Sequence, residues 1–139
     1  MVENGRTGRV VLVDSKVDYR RSVRSMLDEA IAPRRLLEAG SVRELLAALV
    51  LDTSLACAFI AWEFADEGGR SAADSLWLLA PRTPVVFYTG DAGLTLSESD
   101  FPAPVILLCK PLRVWDVRAA LGRLKVAIDR GGSVGAGQP

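Results

Sequence analysis

The chain has 139 residues, half of them hydrophobic and 24% charged, a length and composition that suit one compact domain with a real core. Its 17 basic and 17 acidic residues cancel, so net charge gives no argument for nucleic acid or a membrane surface, and apolar runs such as 45–51 are too short to cross a bilayer. With no histidine, the chain lacks the commonest general base and metal ligand, which excludes Ser-His and Cys-His nucleophile pairs.

The opening Met-Val-Glu-Asn-Gly-Arg lacks the basic-then-apolar pattern of a secretion signal, so the expectation is a soluble, cytoplasmic protein. Residues 1–8 read as an N-terminal arm. Five β-rich runs follow, at 9–13, 35–38, 56–62, 84–88 and 105–109. After the first run, Tyr19, Val23, Met26, Leu27, Ala30 and Ile31 recur at helical spacing. After the second, Ser41 and Glu44 have the spacing of a capping box, in which each side chain satisfies a backbone N–H at a helix start. The body of that helix, 45–51, is apolar on nearly every side, which predicts that more than one of its faces is covered. A third helix over about 71–79 offers Ala72, Ala73, Leu76 and Leu79 inward.

The interval 89–104 contains Gly90, Gly93, Pro102 and Pro104, so its helix is short or irregular. The last helix carries Val114, Val117, Leu121, Leu124 and Ile128 at steps of three and four. The domain ends near residue 129, and the glycine-rich tail, 130–139, has almost nothing to bury and is expected to be disordered. Strands alternating with helices imply an α/β fold: a single five-stranded parallel sheet, order 2-1-3-4-5, with helices on both faces and ligands at the carboxyl ends of the strands. Another strand then separates Cys57 from Cys109, so both are expected to be reduced core residues beyond disulfide reach.

The strand ends carry a resemblance. The first ends Val13-Asp14-Ser15, the third Ile60-Ala61-Trp62-Glu63, the fourth Thr89-Gly90 and the fifth Lys110-Pro111. From about residue 9 to 129 the chain resembles a bacterial response-regulator receiver domain of the flavodoxin-like, chemotaxis-regulator type. In that family the first strand ends in two adjacent acids, the third in the phosphate-accepting aspartate, the fourth in a hydroxyl and a small residue, and the fifth in Lys-Pro. Ala61 occupies the acceptor position. Receivers usually have a glycine eight residues after the acceptor; Ala61 leads to Gly69 and Glu63 to Ser71, which favours the Ala61 register. A Trp after the acceptor is also familiar, whereas Ala65 stands where the family's Pro is common.

The resemblance implies a degenerate receiver, or pseudo-receiver. A methyl group cannot accept phosphate, so no catalytic residue is expected and the chain is not read as an enzyme. Ser15 replaces the second acid, so no tight magnesium site and no other cofactor is expected. The degenerate acidic pocket is Asp14, Ser15, Ala61, Glu63, Thr89 and Lys110. Asp14 and Lys110 are expected to pair directly or through water, with Glu63 as a second partner, replacing the metal as charge compensation. Leu107 replaces the aromatic that receivers swing inward on activation.

The implied role is a phosphorylation-independent protein-interaction module in two-component phosphorelay signalling. Its partner would be a histidine kinase, another response regulator or a second copy. The family's dimer surface, its fourth helix, fifth strand and fifth helix, corresponds here to an interaction face of Leu107, Trp115, Ala119, Gly122 and Val126. The alternative reading of Trp115 is the core edge, against the segment before Pro104, and Trp77 has the same two readings. The basic groups Arg20, Arg21 and Arg24, and Arg118, Arg123, Lys125 and Arg130, are read as solvated helix faces, with no nucleic acid and no membrane as partner. The loop 89–93 is a weak candidate for holding an anion, since Asp91 opposes it. Two rival readings stand beside the first: an atypical phosphoacceptor using Glu63 or Ser15, and a flavodoxin-like small-molecule binding module.

Overall fold

The computed structural model describes residues 5–64 and 68–129. Five strands, β1 (Arg9–Val13), β2 (Leu36–Ala39), β3 (Leu55–Ala61), β4 (Val85–Thr89) and β5 (Val105–Cys109), make one parallel sheet in the order β2-β1-β3-β4-β5. This is the flavodoxin-like arrangement that the alternation of elements predicts. β1 and β5 fall where the β-rich runs place them; the other three are displaced by one residue.

Four α-helices cover the sheet: α1 (Val17–Asp28), α2 (Val42–Leu51), α3 (Gly68–Leu79) and α4 (Val114–Arg123). Between β4 and β5 there is only a single 3-10 turn, Glu98–Asp100, in keeping with the glycines and prolines of that interval. Side chains alternate across the strands, so the core has two layers. Val10, Leu12, Phe59, Val86 and Ile106 pack with α1 and α4, whereas Val11, Val13, Ile60, Val85 and Phe87 pack with α2 and α3. Among the described residues no helix is long and apolar enough to cross a membrane.

Several local expectations are corrected. Leu79 is half-exposed; Trp77 turns inward and donates its indole N–H to the Thr83 carbonyl at 2.9 Å, because the inward stripe runs through Ala73, Leu76, Trp77 and Ala80 and leaves Leu79 at its outer edge. α2 buries Leu45 and Leu49 against the sheet but leaves Val50 and Leu51 in solvent, so its apolar outer side is not covered. Its start is half a capping box: Ser41 Oγ accepts from the Glu44 N–H, but Glu44 reaches one residue further, to the Gly40 N–H at 2.6 Å. α4 ends at Arg123 rather than running on to Ile128, and Lys125 has a φ of 58°. The chain beyond it is extended; Val126 bridges to Arg6 and is buried. Cys57 is buried as expected, but Cys109 closes edge strand β5 and is exposed; both thiols are free.

Arg35 ties the segments 6–8 and 127–129 to each other and to the start of β2. Its buried guanidinium donates to the carbonyls of Gly8 (3.1 Å), Ala127 (2.7 Å) and Arg6 (3.2 Å) and meets Asp129 at 3.4 Å. Residues 1–4 of the expected arm, Ala65, Arg130 and the expected tail, 130–139, lie outside the described residues.

Candidate functional site

The carboxyl ends of β1, β3 and β4 bring Asp14, Ala61 and Tyr88 together. Val13 pairs with Ile60 and Ala61 with Tyr88, so Asp14 and Tyr88 come from strands on either side of β3. Ala61 lies between them, on the α1 face of the sheet with Tyr88. The strands two apart are separated by roughly 10 Å. A methyl group at position 61 leaves room for the Tyr88 side chain to span that gap, and its hydroxyl donates to Asp14 Oδ2 at 2.7 Å. The other Asp14 oxygen accepts the Lys16 N–H at 2.9 Å. Asp14 is 1% exposed, so a bond from a donor to this buried carboxylate contributes about 1.5–3 kcal/mol. Burial, the negative charge of Asp14 and the bond donated to it hold the Tyr88 phenol far above its ordinary range.

The direct Asp14–Lys110 pair does not form. The Lys110 ammonium lies over the Tyr19 ring, 4.2 Å from its centroid, and 5.8 Å from that of Tyr88. The two tyrosine rings pack at 5.7 Å, so the lysine faces this aromatic pair while the Tyr88 hydroxyl takes the acid it was expected to meet. Facing an aromatic ring gives the ammonium about 0.5–2 kcal/mol of electrostatic attraction. Arg20 donates to the Asp14 carbonyl at 2.6 Å and pairs with Glu38 at 3.1 Å. Arg24 pairs with Glu38 and with Asp28. These two arginines of α1, read from the sequence as a solvated face, are committed to carboxylates.

Glu63 belongs to a second cluster. Its carboxylate accepts a short hydrogen bond from the Thr89 hydroxyl and a longer one, 3.3 Å, from the Gly90 N–H. The Thr89 oxygen in turn accepts the Asp91 N–H at 3.0 Å, and Asp91 Oδ1 accepts from the Gly93 N–H at 2.9 Å. The loop 89–93, a weak candidate for an anion, therefore already has two of its N–H groups on the chain's own carboxylates.

The position of Gly69 bears on the register at residue 61. A Cβ there would sit 2.2 Å from the Ala61 carbonyl oxygen, so only glycine fits where α3 folds back on the end of β3, and the Gly69 N–H donates to the Trp62 carbonyl at 2.7 Å. The eight-residue spacing thus has a steric cause that ties Gly69 to Ala61. Trp62 stacks edge-on against Phe87 at 5.0 Å.

Of the expected interaction face, Trp115 is 64% exposed with the Arg113 guanidinium 5.4 Å from its ring centroid, so it is not core edge; Ala119 and Gly122 are exposed beside it. Leu107 is half-buried against the layer of α2 and α3. Val126 does not belong to the face, because the extended backbone after α4 turns it into the core. Tyr88, Tyr19 and Arg20 were not singled out as site residues by sequence. The available signal was Tyr88 itself: a tyrosine on a buried strand needs a partner for its hydroxyl, and Asp14 was the acid within reach.

No protein-family model and no curated protein matches the sequence. Solved structures do match the fold. Chemotaxis protein CheY4 of Vibrio cholerae superposes with a TM-score of 0.68 at 19% identity, covering 85% of this chain and 98% of that one. A response-regulator receiver domain protein from Clostridium thermocellum gives 0.72 at 16% identity, covering 84% and 93%. The receiver domain of NtrX from Brucella abortus gives 0.70 at 20%, covering 83% and 96%. The chain has the fold of response-regulator receiver domains, over nearly their whole length.

Proposed function

We propose that this chain is a receiver-type domain of two-component signalling that acts as a protein-interaction module without accepting phosphate, and that it is not an enzyme. The observation that carries the reading is the methyl group of Ala61 at the end of β3, covered by Tyr88 on its way to Asp14. The steric tie between Ala61 and Gly69 supports the register on which this rests.

The remaining acids fit a magnesium ion poorly. Both Asp14 oxygens hold donors, the Glu63 oxygens hold Thr89 and Gly90, and among the described residues no three acidic or thiol side chains converge. Magnesium requires near-octahedral oxygen ligands and gives up its water reluctantly. The partner is another protein: a histidine kinase, another response regulator or a second copy, met through the exposed side of α4 around Trp115, Ala119 and Gly122.

Beryllium fluoride with magnesium, a phosphoryl mimic, tests the reading through Trp62, which adjoins residue 61, with a Trp62→Phe variant as control. No saturable change in Trp62 emission is expected. Saturable quenching, lost in Glu63→Gln or Ser15→Ala, would replace this reading with an atypical phosphoacceptor.

A further inference from the structure

At the end of the sheet opposite Asp14 lies a surface of a different kind. α2 and α3 pack against each other on one face of the sheet and both finish at this end, immediately before β3 and β4. Their last turns leave Val50 (78% exposed), Leu51 (87%), Leu78 (84%) and Leu79 (47%) in solvent. The segments that follow, 53–55 and 80–83, line a cleft of about 320 Å³ with Arg6 and Arg82 on its wall. A second cleft of about 290 Å³ shares Ser54 with the first and is lined by Arg9, Arg34, Arg35 and Asp52.

Two of these five arginines have carboxylate partners: Arg9 meets Asp52 at 3.6 Å and Arg35 meets Asp129 at 3.4 Å. Arg6, Arg34 and Arg82 meet no carboxylate among the described residues. The walls of the two clefts thus carry five arginines against one acid, Asp52, at the end of the sheet where four aliphatic side chains are exposed.

We propose that this end of the molecule docks an acidic, amphipathic protein segment. The aliphatic side chains of the segment lie on Val50, Leu51, Leu78 and Leu79, one of them enters the cleft between 53–55 and 80–83, and its carboxylates reach Arg6 and Arg82. Exposed aliphatic side chains at the ends of two helices, next to a cleft with arginines on its wall, are the complement of a helix that has one aliphatic and one acidic face. A flat bilayer would leave both clefts unfilled, and the clefts present no aromatic ring on which a nucleic-acid base could stack. The proposal is independent of what residue 61 does, since it uses the other end of the sheet.

The test is selection of a displayed random 16-residue peptide library on the intact chain. Enriched peptides are expected to carry Leu, Ile or Met at i, i+3 or i+4, and i+7 with Asp or Glu between them. Their affinity should fall about tenfold or more for Leu51→Ser with Leu78→Ser and for Arg82→Glu. Exchanging Glu for Lys in the peptide should restore binding to Arg82→Glu. All three side chains are exposed, so the variants keep the fold, which circular dichroism checks. Failure to enrich any peptide, enrichment without this pattern, or affinities unchanged by the variants would overturn the proposal. So would binding of the chain to phosphatidylglycerol vesicles or to a single-stranded oligonucleotide that these same substitutions abolish, since either assigns the surface to another class of partner.

Discussion

Tyr88 and Ala61 act as a pair: the small residue makes the space and the large one fills it. Tyr88→Phe removes the hydroxyl but keeps the ring, leaving one oxygen of buried Asp14 without its donor, and should lower stability by about 1–3 kcal/mol in urea unfolding. Ala61→Asp places a second carboxylate beside Asp14 and beneath the tyrosine ring. The expected cost is about 3–5 kcal/mol, as for an uncompensated buried charge, and partial recovery is expected when Tyr88→Ala frees the space. The tyrosines also set a pH response. Both tyrosines of the chain, Tyr19 and Tyr88, have folded pKa values raised above 10.0, chiefly by burial, with Asp14 adding to it. Above pH 10 the unfolded chain loses these protons while the folded one keeps them. The contribution is therefore complete below pH 10 and is lost as pH rises beyond it, at about 1.4 kcal/mol per pH unit for Tyr88. Phenolate absorbance should appear together with unfolding; a tyrosine ionising near pH 10 in the folded protein contradicts this for that residue. Cys57, buried and with its thiol pushed up to about 12, should resist a thiol reagent that modifies Cys109 in the native state.

At the scale of elements, Arg35 has the largest reach. Replacing it with Ala leaves the carbonyls of Arg6, Gly8 and Ala127 and the Asp129 carboxylate without its donors, at a cost of about 3 kcal/mol or more. Hydrogen exchange at the Arg6 and Ala127 amides should accelerate before that of the central strands. The sequence showed Arg35 only as the start of a strand, because its acceptors come from 27 to 94 residues away along the chain. By contrast, the strands and their order were legible, since near-continuous apolar runs separated by helical spacing leave few other solutions. The end of α4 was misread because Leu121, Leu124 and Ile128 keep helical steps while Leu124, Val126 and Ile128 also alternate. The second period is the one that holds, once Lys125 leaves the helical region. Charge pairing at the site was misassigned for a different reason. The sequence gives the acids and the lysine, but which partner each one takes depends on α1 bringing Tyr19 against Tyr88 and under the lysine ammonium.

For the whole molecule, the parallel sheet has two ends of different character. The carboxyl end holds Asp14 and Glu63, whose oxygens already accept internal hydrogen bonds; the amino end holds the guanidiniums of Arg6, Arg34 and Arg82, which meet no carboxylate among the described residues, and exposed aliphatic side chains. The proposed function is that such a domain carries information by what binds it rather than by a covalent mark. Incubation with acetyl phosphate and magnesium, followed by intact-mass measurement beside a phosphorylatable receiver, tests that claim most directly. The chain is expected to gain no phosphoryl group while the control receiver is labelled. A phosphoryl adduct that maps to Glu63, Ser15 or any other side chain at the end of the sheet around Ala61 would contradict it.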